Sequence, residues 1–292
     1  MTNPDRLPVL KTDKLYIGGS FPRSESGRTF AVHAHDGSLH AHACLASRKD
    51  LRAAVEAARS AQPKWDASPA VLRGQILYRM GEMLEGKRAE AAGLLRTVSG
   101  LNEREAEREV SASVDRLIAF AGWADKFQQV LGSHNPVAGA YDNFTMPEAT
   151  GVVVCVAPDA PALLGLVGLV APAIVAGNAA VLVTGKVNPG LGLLLAEVCA
   201  TGDVPGGVVN VLTGDRAELI SWIAGHRDVD AITAAGISAE HAASLRAGAA
   251  ENLKRVTIHD VEGEAWFDSA CESPEWITPT VEFKTAWHPS AM

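Results

Sequence analysis

The spacing of apolar residues changes from strand-like to helical within the first half of the chain. Short runs predict strands at 15–17 and 29–32, and Asp36-Gly37 is a turn signal. From Lys49 the apolar period becomes helical. We predict a first helix at 49–63. A second begins at the N-cap Ser68, and its inner face carries Leu72, Ile76, Met80 and Leu84. A third contains the apolar residues Val110, Val114, Leu117, Ile118 and Ala121. The charged run 103–109 is interpreted as a solvated face of the last of these helices.

The second half of the chain alternates between buried strands and helices. We predict strands at 152–156, 179–183, 208–212, 229–233 and 255–258, and helices at 162–175, 191–198, 219–223 and 238–250. Uninterrupted apolar runs of this length are typical of strands buried on both faces. The alternation therefore predicts an α/β fold with a doubly wound, Rossmann-like parallel sheet. Ligands bind beyond the carboxyl ends of such strands, in loops that here begin near Ala157, Thr184, Thr213, Ala234 and His259.

The chain divides into four predicted regions. Residues 1–136 form an N-terminal region of hairpins and a helical layer, and 137–150 form an extended connector or hairpin. Residues 151–259 form the Rossmann-like domain, and 260–292 an irregular segment that ends in a tail strand. A lone strand needs a sheet edge in its own chain or in a neighbour. We therefore expect the connector and the tail strand to serve in oligomerisation.

Composition and charge restrict the kinds of molecule that this chain is expected to bind. The 292 residues are 47% hydrophobic and 21% charged, as expected for a folded, soluble, globular chain. With 26 basic and 34 acidic side chains the formal charge is -8, and no block of Lys or Arg interrupts it. This balance argues against a sequence-independent grip on nucleic acid or on an anionic membrane.

Two further features bear on location. The uncharged stretch 161–183 is long enough to cross a bilayer, but Pro161, Pro172 and Gly177-Asn178 divide it, which favours a buried βαβ core. The four cysteines have no disulfide-framework spacing, and residues 1–6 lead into no apolar signal segment. We expect a cytoplasmic protein.

Glycine- and proline-rich motifs follow one another in a definite order. They lie at 15–19, 26–30, 79–85, 151–158, 171–178, 205–214, 226–230, 253–257 and 282–287. The most specific is Pro205-Gly206-Gly207-Val208-Val209-Asn210-Val211-Leu212-Thr213-Gly214. In this order the motifs resemble the aldehyde dehydrogenase family over about residues 14–259 and the tail strand. The resemblance implies a cofactor-type sheet, a NAD or NADP cofactor and thiol-based oxidation of aldehydes.

The resemblance also assigns positions to the family's functional groups, and most of these positions are changed. Aldehyde oxidation needs a thiolate, a donor to the oxyanion and a base that activates water. The oxyanion donor position falls on Ala160 and the general-base position on His259. The ribose-binding Lys and Glu positions fall on Val183 and Lys186, and the pyrophosphate-binding Gly-Ser on Gly236-Ile237.

Four positions retain a residue of the cofactor-binding type. They are Pro158, Thr213, Gly214 and Gly236, which we interpret as a vestigial dinucleotide site. Lys186 would favour the 2′-phosphate of NADP through its charge. We expect no resident cofactor, with NAD or NADP as the alternative.

No catalytic residue is predicted. The resemblance places the nucleophile in a separate catalytic domain, but here only the short segment 260–279 joins His259 to the tail strand. Cys271 is the only cysteine of that segment, and its neighbours Ala270 and Glu272 offer no cation to a thiolate. We interpret Cys271 as structural, and His259 as a strand-end histidine held by local hydrogen bonds.

Histidines cluster around the first turn. His33, His35, His40 and His42 flank residues 36–39, and period two places each pair on one face of its strand. If the strands pair, the four imidazoles could converge on a divalent metal. Because no carboxylate or thiolate is placed with them except Cys44, we favour an exposed hairpin and predict no metal site.

Two functions follow from this pattern. The favoured one is a non-catalytic, shortened aldehyde dehydrogenase-like protein, similar to the degenerate unit of two-domain aldehyde dehydrogenases. It would associate with a full-length aldehyde dehydrogenase, or with itself, by strand addition through 280–287 and 140–149. The alternative is an NAD(P)-dependent oxidoreductase acting on aldehydes, alone or in a site shared with a partner, supported by Gly214 and Gly236. A nucleotide sensor that binds without turnover is a third candidate.

Overall fold

The computed structural model describes residues 9–250 and 252–290. The α-helices are α1 Arg48–Asp66, α2 Ala70–Gly86, α3 Arg88–Thr97, α4 Glu103–Trp123, α5 Phe127–Leu131, α6 Leu164–Val175, α7 Pro189–Thr201, α8 Arg216–Gly225 and α9 Ala239–Ala249. The strands are β1 Thr12–Asp13, β2 Thr29–His33, β3 Leu39–Cys44, β4 Ser133–Asn135, β5 Tyr141–Ala149, β6 Val152–Val156, β7 Ala179–Val183, β8 Val209–Leu212, β9 Ala231–Ala235, β10 Arg255–His259 and β11 Val281–Pro289. Short 3-10 helices occupy Gly263–Phe267, Ser269–Glu272, Pro274–Trp276 and Thr278–Thr280. The expectation that residues 1–6 carry no signal segment lies outside the described residues.

The central sheet is parallel, with the strand order β10-β9-β6-β7-β8. Val154 of β6 lies opposite Val181 of β7 on one side and Ile232 of β9 on the other. The chain order reverses between β6 and β9, so the sheet has its topological switch point there. The predicted doubly wound α/β fold is confirmed, including the bounds of β6 and β7.

Helices cover both faces of this sheet. Val152, Val154 and Val156 pack in one buried cluster with α1, α8 and α9, while Val153 and Cys155 pack in another with α4, α6 and α7. All residues of β6 and β7 are buried, which explains why their sequences are uninterrupted apolar runs. The core therefore lies on both sides of the sheet and leaves only the strand ends open.

Helix α1 continues to Asp66, past its predicted end at Pro63. In the last turn Trp65 is buried, and its indole N–H donates to the Ile174 carbonyl at 2.8 Å. This contact with α6 holds the last turn in place despite the hydrogen bond that a proline removes. The predicted helix end was wrong because the stabilising partner lies far along the chain.

Helix α2 buries three of its four predicted inner residues, Ile76, Met80 and Leu84, but not the fourth, Leu72. Pro69 takes the N-cap position that we assigned to Ser68. Leu72 is 43% exposed, although it was predicted as an inner residue. The inner face instead includes Gly74, where a Cβ atom would lie 2.9 Å from a main-chain carbonyl of α4. The close approach of α2 and α4 at this glycine sets the rotation of the helix.

One carboxyl group of the predicted solvated face is buried. Glu109 on α4 is 3% exposed and accepts hydrogen bonds from Leu163 N–H at 2.6 Å and Leu164 N–H at 3.2 Å. These amides begin α6 and have no partner within that helix. Burial raises the pKa of the Glu109 carboxyl group. Glu109 thus caps α6, and the solvated interpretation was wrong at this residue.

Two smaller predictions also differ from the structure, and one helix was not predicted. Residues 15–17 form only isolated bridges, such as that between Tyr16 and Val211, and not a strand. The strand predicted at 229–233 is β9, which begins two positions later at Ala231. Helix α3 was not predicted, because it buries mainly alanines, which give a weak apolar period.

The uncharged stretch 161–183 lies in the core, where it forms α6 and β7. In the part of the chain that the structure describes, no helix combines the length and the hydropathy that a bilayer span requires.

The predicted connector and the tail strand form a small antiparallel sheet of order β11-β5-β4. β11 pairs with β5 over its whole length, from Val281 opposite Ala149 to Pro289 opposite Tyr141. The tail strand thus finds its partner in its own chain, and within the described residues its second edge is unpaired.

A buried amide links the parallel sheet to the sheet that contains the tail strand. The Asn178 side chain donates from Nδ2 to the Ala173 and Thr280 carbonyls, both at 2.9 Å. Its Oδ1 accepts from Gly151 N–H at 2.8 Å. Asn178 therefore ties the end of α6 and the start of β6 to the residue that precedes the tail strand.

We expect Asn178→Asp to lower the free energy of unfolding by about 2–4 kcal/mol, because it removes the side-chain donor to the Ala173 carbonyl, leaves only Thr150 to donate to the Thr280 carbonyl, and buries a charge. Urea unfolding measures the loss, and Gln75→Glu, the same amide-to-acid change on the exposed face of α2, is the control. An Asn178→Asp protein as stable as this control would contradict the role of the amide.

Candidate functional site

A cleft of about 340 Å³ opens at the carboxyl ends of the central strands. Its walls come from four strand-end loops, with Asp159 after β6, Lys186 after β7, Asp215 and Arg216 after β8, and Gly236 after β9. The cleft thus occupies the position where doubly wound sheets bind ligands. His259, which ends β10, does not line it.

The four predicted cofactor-binding residues all lie at this edge of the sheet, and each of them contacts other residues of the protein by packing or by a hydrogen bond. Gly214 and Gly236 line the cleft. Gly236 has a φ of 60°, and a Cβ there would lie 2.7 Å from the Pro158 side chain. The buried Thr213 hydroxyl donates to the Cys44 carbonyl at 2.6 Å. Packing accounts for these residue types, and their part in cofactor binding stays a prediction.

The two helix starts that face the cleft are capped by their own side chains. The Asp215 carboxylate accepts from Ala217 N–H at 2.9 Å at the start of α8, and the Ser238 hydroxyl accepts from His241 N–H at the start of α9. Lys186 Nζ lies 2.6 Å from Asp215 and lowers the pKa of that carboxyl group. A diphosphate needs unoccupied donors at such a helix start. Each cap therefore occupies one main-chain N–H that a diphosphate at that helix start could otherwise bind.

Two further positions lack the donors that the resemblance would require. Val183 is fully buried among the core residues on the α1 side of the sheet, so its side chain does not reach the cleft. Ala160 is exposed in the loop after β6 and has only a methyl group to offer. Neither residue can bind a ribose or stabilise an oxyanion through its side chain.

Sequence reasoning missed the ion pair that crosses the cleft. Asp159 and Arg216 form a bidentate ion pair at 2.8 and 2.9 Å, although 57 positions separate them. Both follow strands that were predicted to end at this edge, so charged residues in those loops were the available signal. The pairing itself depends on the order of the strands in the sheet.

His259 is held as a strand-end histidine. Its Nε2 lies 2.8 Å from the Thr233 hydroxyl, and its ring stacks on Trp276 with centroids 4.1 Å apart. Burial lowers the pKa of His259 to about 4. The imidazole is therefore neutral at neutral pH, but it is covered by Trp276 and does not face the cleft.

Cys271 is buried against α4. It is 4% exposed, and its thiol donates to the Ala265 carbonyl at 3.3 Å. Burial raises the pKa of this thiol, while the nearby Arg116 charge lowers it in part. The sequence neighbours of Cys271 carry no cation, and the one that lies near it, Arg116, comes from α4. The buried, protonated thiol is unsuited to act as a nucleophile.

The four histidines of the first hairpin do not converge. His33 Nδ1 lies 3.2 Å from the Gly37 carbonyl, within its own turn. His35 packs on Gly100, where a Cβ would lie 2.4 Å from the ring. Across residues 9–250 and 252–290, no group of three or more His, Cys, Asp or Glu side chains is placed to hold a metal ion.

Known proteins share this fold and about 30% of the aligned residues. The sequence model of the aldehyde dehydrogenase family matches residues 21–262. The mitochondrial benzaldehyde dehydrogenase of Antirrhinum majus is 31% identical over 88% of this chain and 49% of its own length. The D-glyceraldehyde dehydrogenase (NADP(+)) of Thermoplasma acidophilum is 30% identical over 87% of this chain and 51% of its own. The NAD+ complex of the Bacillus cereus aldehyde dehydrogenase superimposes with a TM-score of 0.80 at 28% identity, covering 85% of this chain and 50% of that one.

Because the family model matches most of its length, the chain belongs to the aldehyde dehydrogenase family. It spans about half the length of the relatives that it matches.

The stability of the protein should depend on pH through His259. The unfolded imidazole takes up a proton near its ordinary pKa of 6.5, whereas the folded one resists protonation down to about pH 4. Stability therefore falls as the pH is lowered through this window. Between about pH 7.5 and about pH 5 we expect the wild type to lose about 2 kcal/mol more than His259→Gln, whose amide does not titrate.

Urea unfolding at the two pH values measures this difference, and His33→Gln on the exposed hairpin is the control. Equal losses in the wild type and in His259→Gln would show that the burial of His259 does not govern its protonation.

Proposed function

We propose that this chain is a non-catalytic member of its family that acts by association. Its partner is a second copy of itself or a full-length aldehyde dehydrogenase subunit, for which it serves as an oligomerisation or regulatory unit. The observation that carries the proposal is the outer edge of the nine-residue strand β11, to which no strand of the described residues pairs. An edge of this length is a template for strand addition.

The hydrogen-bond register shows which main-chain groups this edge offers. Ser290 N–H donates to the Ala140 carbonyl at 3.0 Å, so the even-numbered residues of β11 direct their main-chain groups at β5. The N–H and C=O groups of Phe283, Thr285 and Trp287 consequently point outward. These three residues would form the ladder with a partner strand.

Apolar side chains accompany this edge. Phe283 is 45% exposed and Trp287 is 60% exposed, on the same face of the strand as Thr285. Trp287 makes an edge-on ring contact with Tyr141 of β5, with centroids 6.1 Å apart, and Tyr141 is itself 49% exposed. Exposed aromatic side chains beside an open strand edge are typical of protein interfaces.

We expect Thr285→Pro to weaken association at least about tenfold, because proline removes an outward N–H without disturbing the ladder to β5. Thr285→Val is the matched control, since it loses the hydroxyl contact to Thr145 at 2.8 Å but keeps the N–H.

Light scattering after size-exclusion chromatography measures self-association, and native mass measurement of the protein co-purified with a full-length aldehyde dehydrogenase measures the mixed complex. If Thr285→Pro associates as well as Thr285→Val in both experiments, the edge of β11 is not the interface.

The non-catalytic part of the proposal is supported by three positions. Ala160 has no donor for an oxyanion, His259 is covered by Trp276, and Cys271 is buried with a raised thiol pKa. Nothing in this arrangement brings a thiolate, a base and an oxyanion donor together. The four cysteines are unpaired and buried, which is consistent with a reducing, cytoplasmic compartment.

We expect no turnover when the purified protein is incubated with NAD or NADP and a panel of aldehydes. Reduced-cofactor absorbance measures the rate, and Cys271→Ser and His259→Gln are assayed beside the wild type. Turnover that either substitution abolishes would overturn the non-catalytic proposal.

The alternative is an NAD(P)-dependent oxidoreductase that acts on aldehydes, alone or in a site shared with a partner. It is favoured by two of the similar proteins: one is an NADP(+) enzyme, and the other has a structure as an NAD+ complex. Turnover by the mixed complex, but not by either protein alone, would support the shared-site form.

A further inference from the structure

Arg216 lies across the cleft that opens at the strand ends. Its Nη1 and Nη2 donate to the two carboxylate oxygens of Asp159 at 2.9 and 2.8 Å. Nη2 also lies 3.4 Å from the Thr184 carbonyl, at the end of β7. Because β7 lies between β6 and β8, the Asp159–Arg216 pair connects the loops on either side of it.

The Arg216 side chain takes up space that a ligand would need. It is only 12% exposed, and its Nε is buried without a hydrogen-bond partner. A Cβ on Gly185 would lie 2.6 Å from Nη2, so the guanidinium rests directly on the main chain of this loop. Gly185 has a φ of 74°, which together with this close approach restricts the position to glycine.

The charges of the cleft are balanced internally. Lys186 pairs with Asp215 at 2.6 Å, and Arg216 pairs with Asp159, so the formal charges of these four side chains cancel. A bidentate Arg–carboxylate pair is among the stronger polar contacts in proteins. A diphosphate entering the cleft would have to displace the carboxylates from both cations.

We infer that the Asp159–Arg216 pair is an internal closure that keeps NAD, NADP and other diphosphates out of the cleft. Asp159 neutralises and positions the guanidinium, and Arg216 fills the crevice between the ends of β6 and β8. The closure involves loops at the opposite end of β6 from Gly151 and Asn178, and it does not depend on the β11 edge. Its failure in a test would leave the association proposal standing.

Calorimetric titration with NAD, NADP and inorganic pyrophosphate tests the closure. For the wild type we expect no saturable binding up to about 1 mM of each compound. Asp159→Asn gives the four-residue set a net charge of +1 and frees the guanidinium, so we expect it to bind pyrophosphate at least about tenfold more tightly than the wild type. Arg216→Ala removes the cation, and we expect it to bind pyrophosphate no better than the wild type.

Arg52→Ala is the control, because it removes an exposed arginine from an ion pair with Glu56 on α1, away from the cleft. Circular dichroism verifies that each variant is folded. If Asp159→Asn does not fold, Asp159→Ser takes its place. The inference is overturned if the wild type binds either dinucleotide below about 1 mM. It is also overturned if removing the Asp159 carboxylate gives no more pyrophosphate binding than Arg52→Ala.

Discussion

The buried amide of Asn178 is the contact on which the arrangement of the two sheets depends. It lies three residues after the end of α6 and bonds main-chain groups on α6, next to the start of β6 and next to the tail strand. Both polar atoms of this buried side chain are hydrogen-bonded in this arrangement. Because Thr280 is one of its partners, the parallel sheet and the position of β11 are determined together.

The same frame leaves the carboxyl ends of the strands open. The polar side chains at these ends form ion pairs and hydrogen bonds with one another or with the main chain. The NAD+ complex of the Bacillus cereus aldehyde dehydrogenase has a similar fold, with a TM-score of 0.80. Here Asp215 caps α8, and Lys186 and Arg216 each contact a carboxylate. The backbone thus retains the shape of a ligand crevice, while the side chains determine whether anything enters it.

The segment between β10 and β11 is held by α4. Arg108 pairs with Glu264 at 2.7 Å and lies over the Phe267 ring, and Trp123 donates to the Glu272 carbonyl at 2.7 Å. Trp266 and Cys271 of this segment are part of the main core cluster. A short run of 3-10 helices therefore covers the apolar surface of α4 and α6 and leads the chain to the tail strand, which has one edge available for a partner.

The sequence by itself determined the parallel sheet, since the uninterrupted apolar runs of β6 and β7 can be buried only between two layers of helices. It also determined which family positions lack a donor, because Ala160 and Val183 carry no polar atom in their side chains. Only the tertiary structure decided the burial of Glu109, the rotation of α2 and the Asp159–Arg216 pair. Each of these depends on groups far apart in the chain, and local periodicity carries no information about which of them will meet.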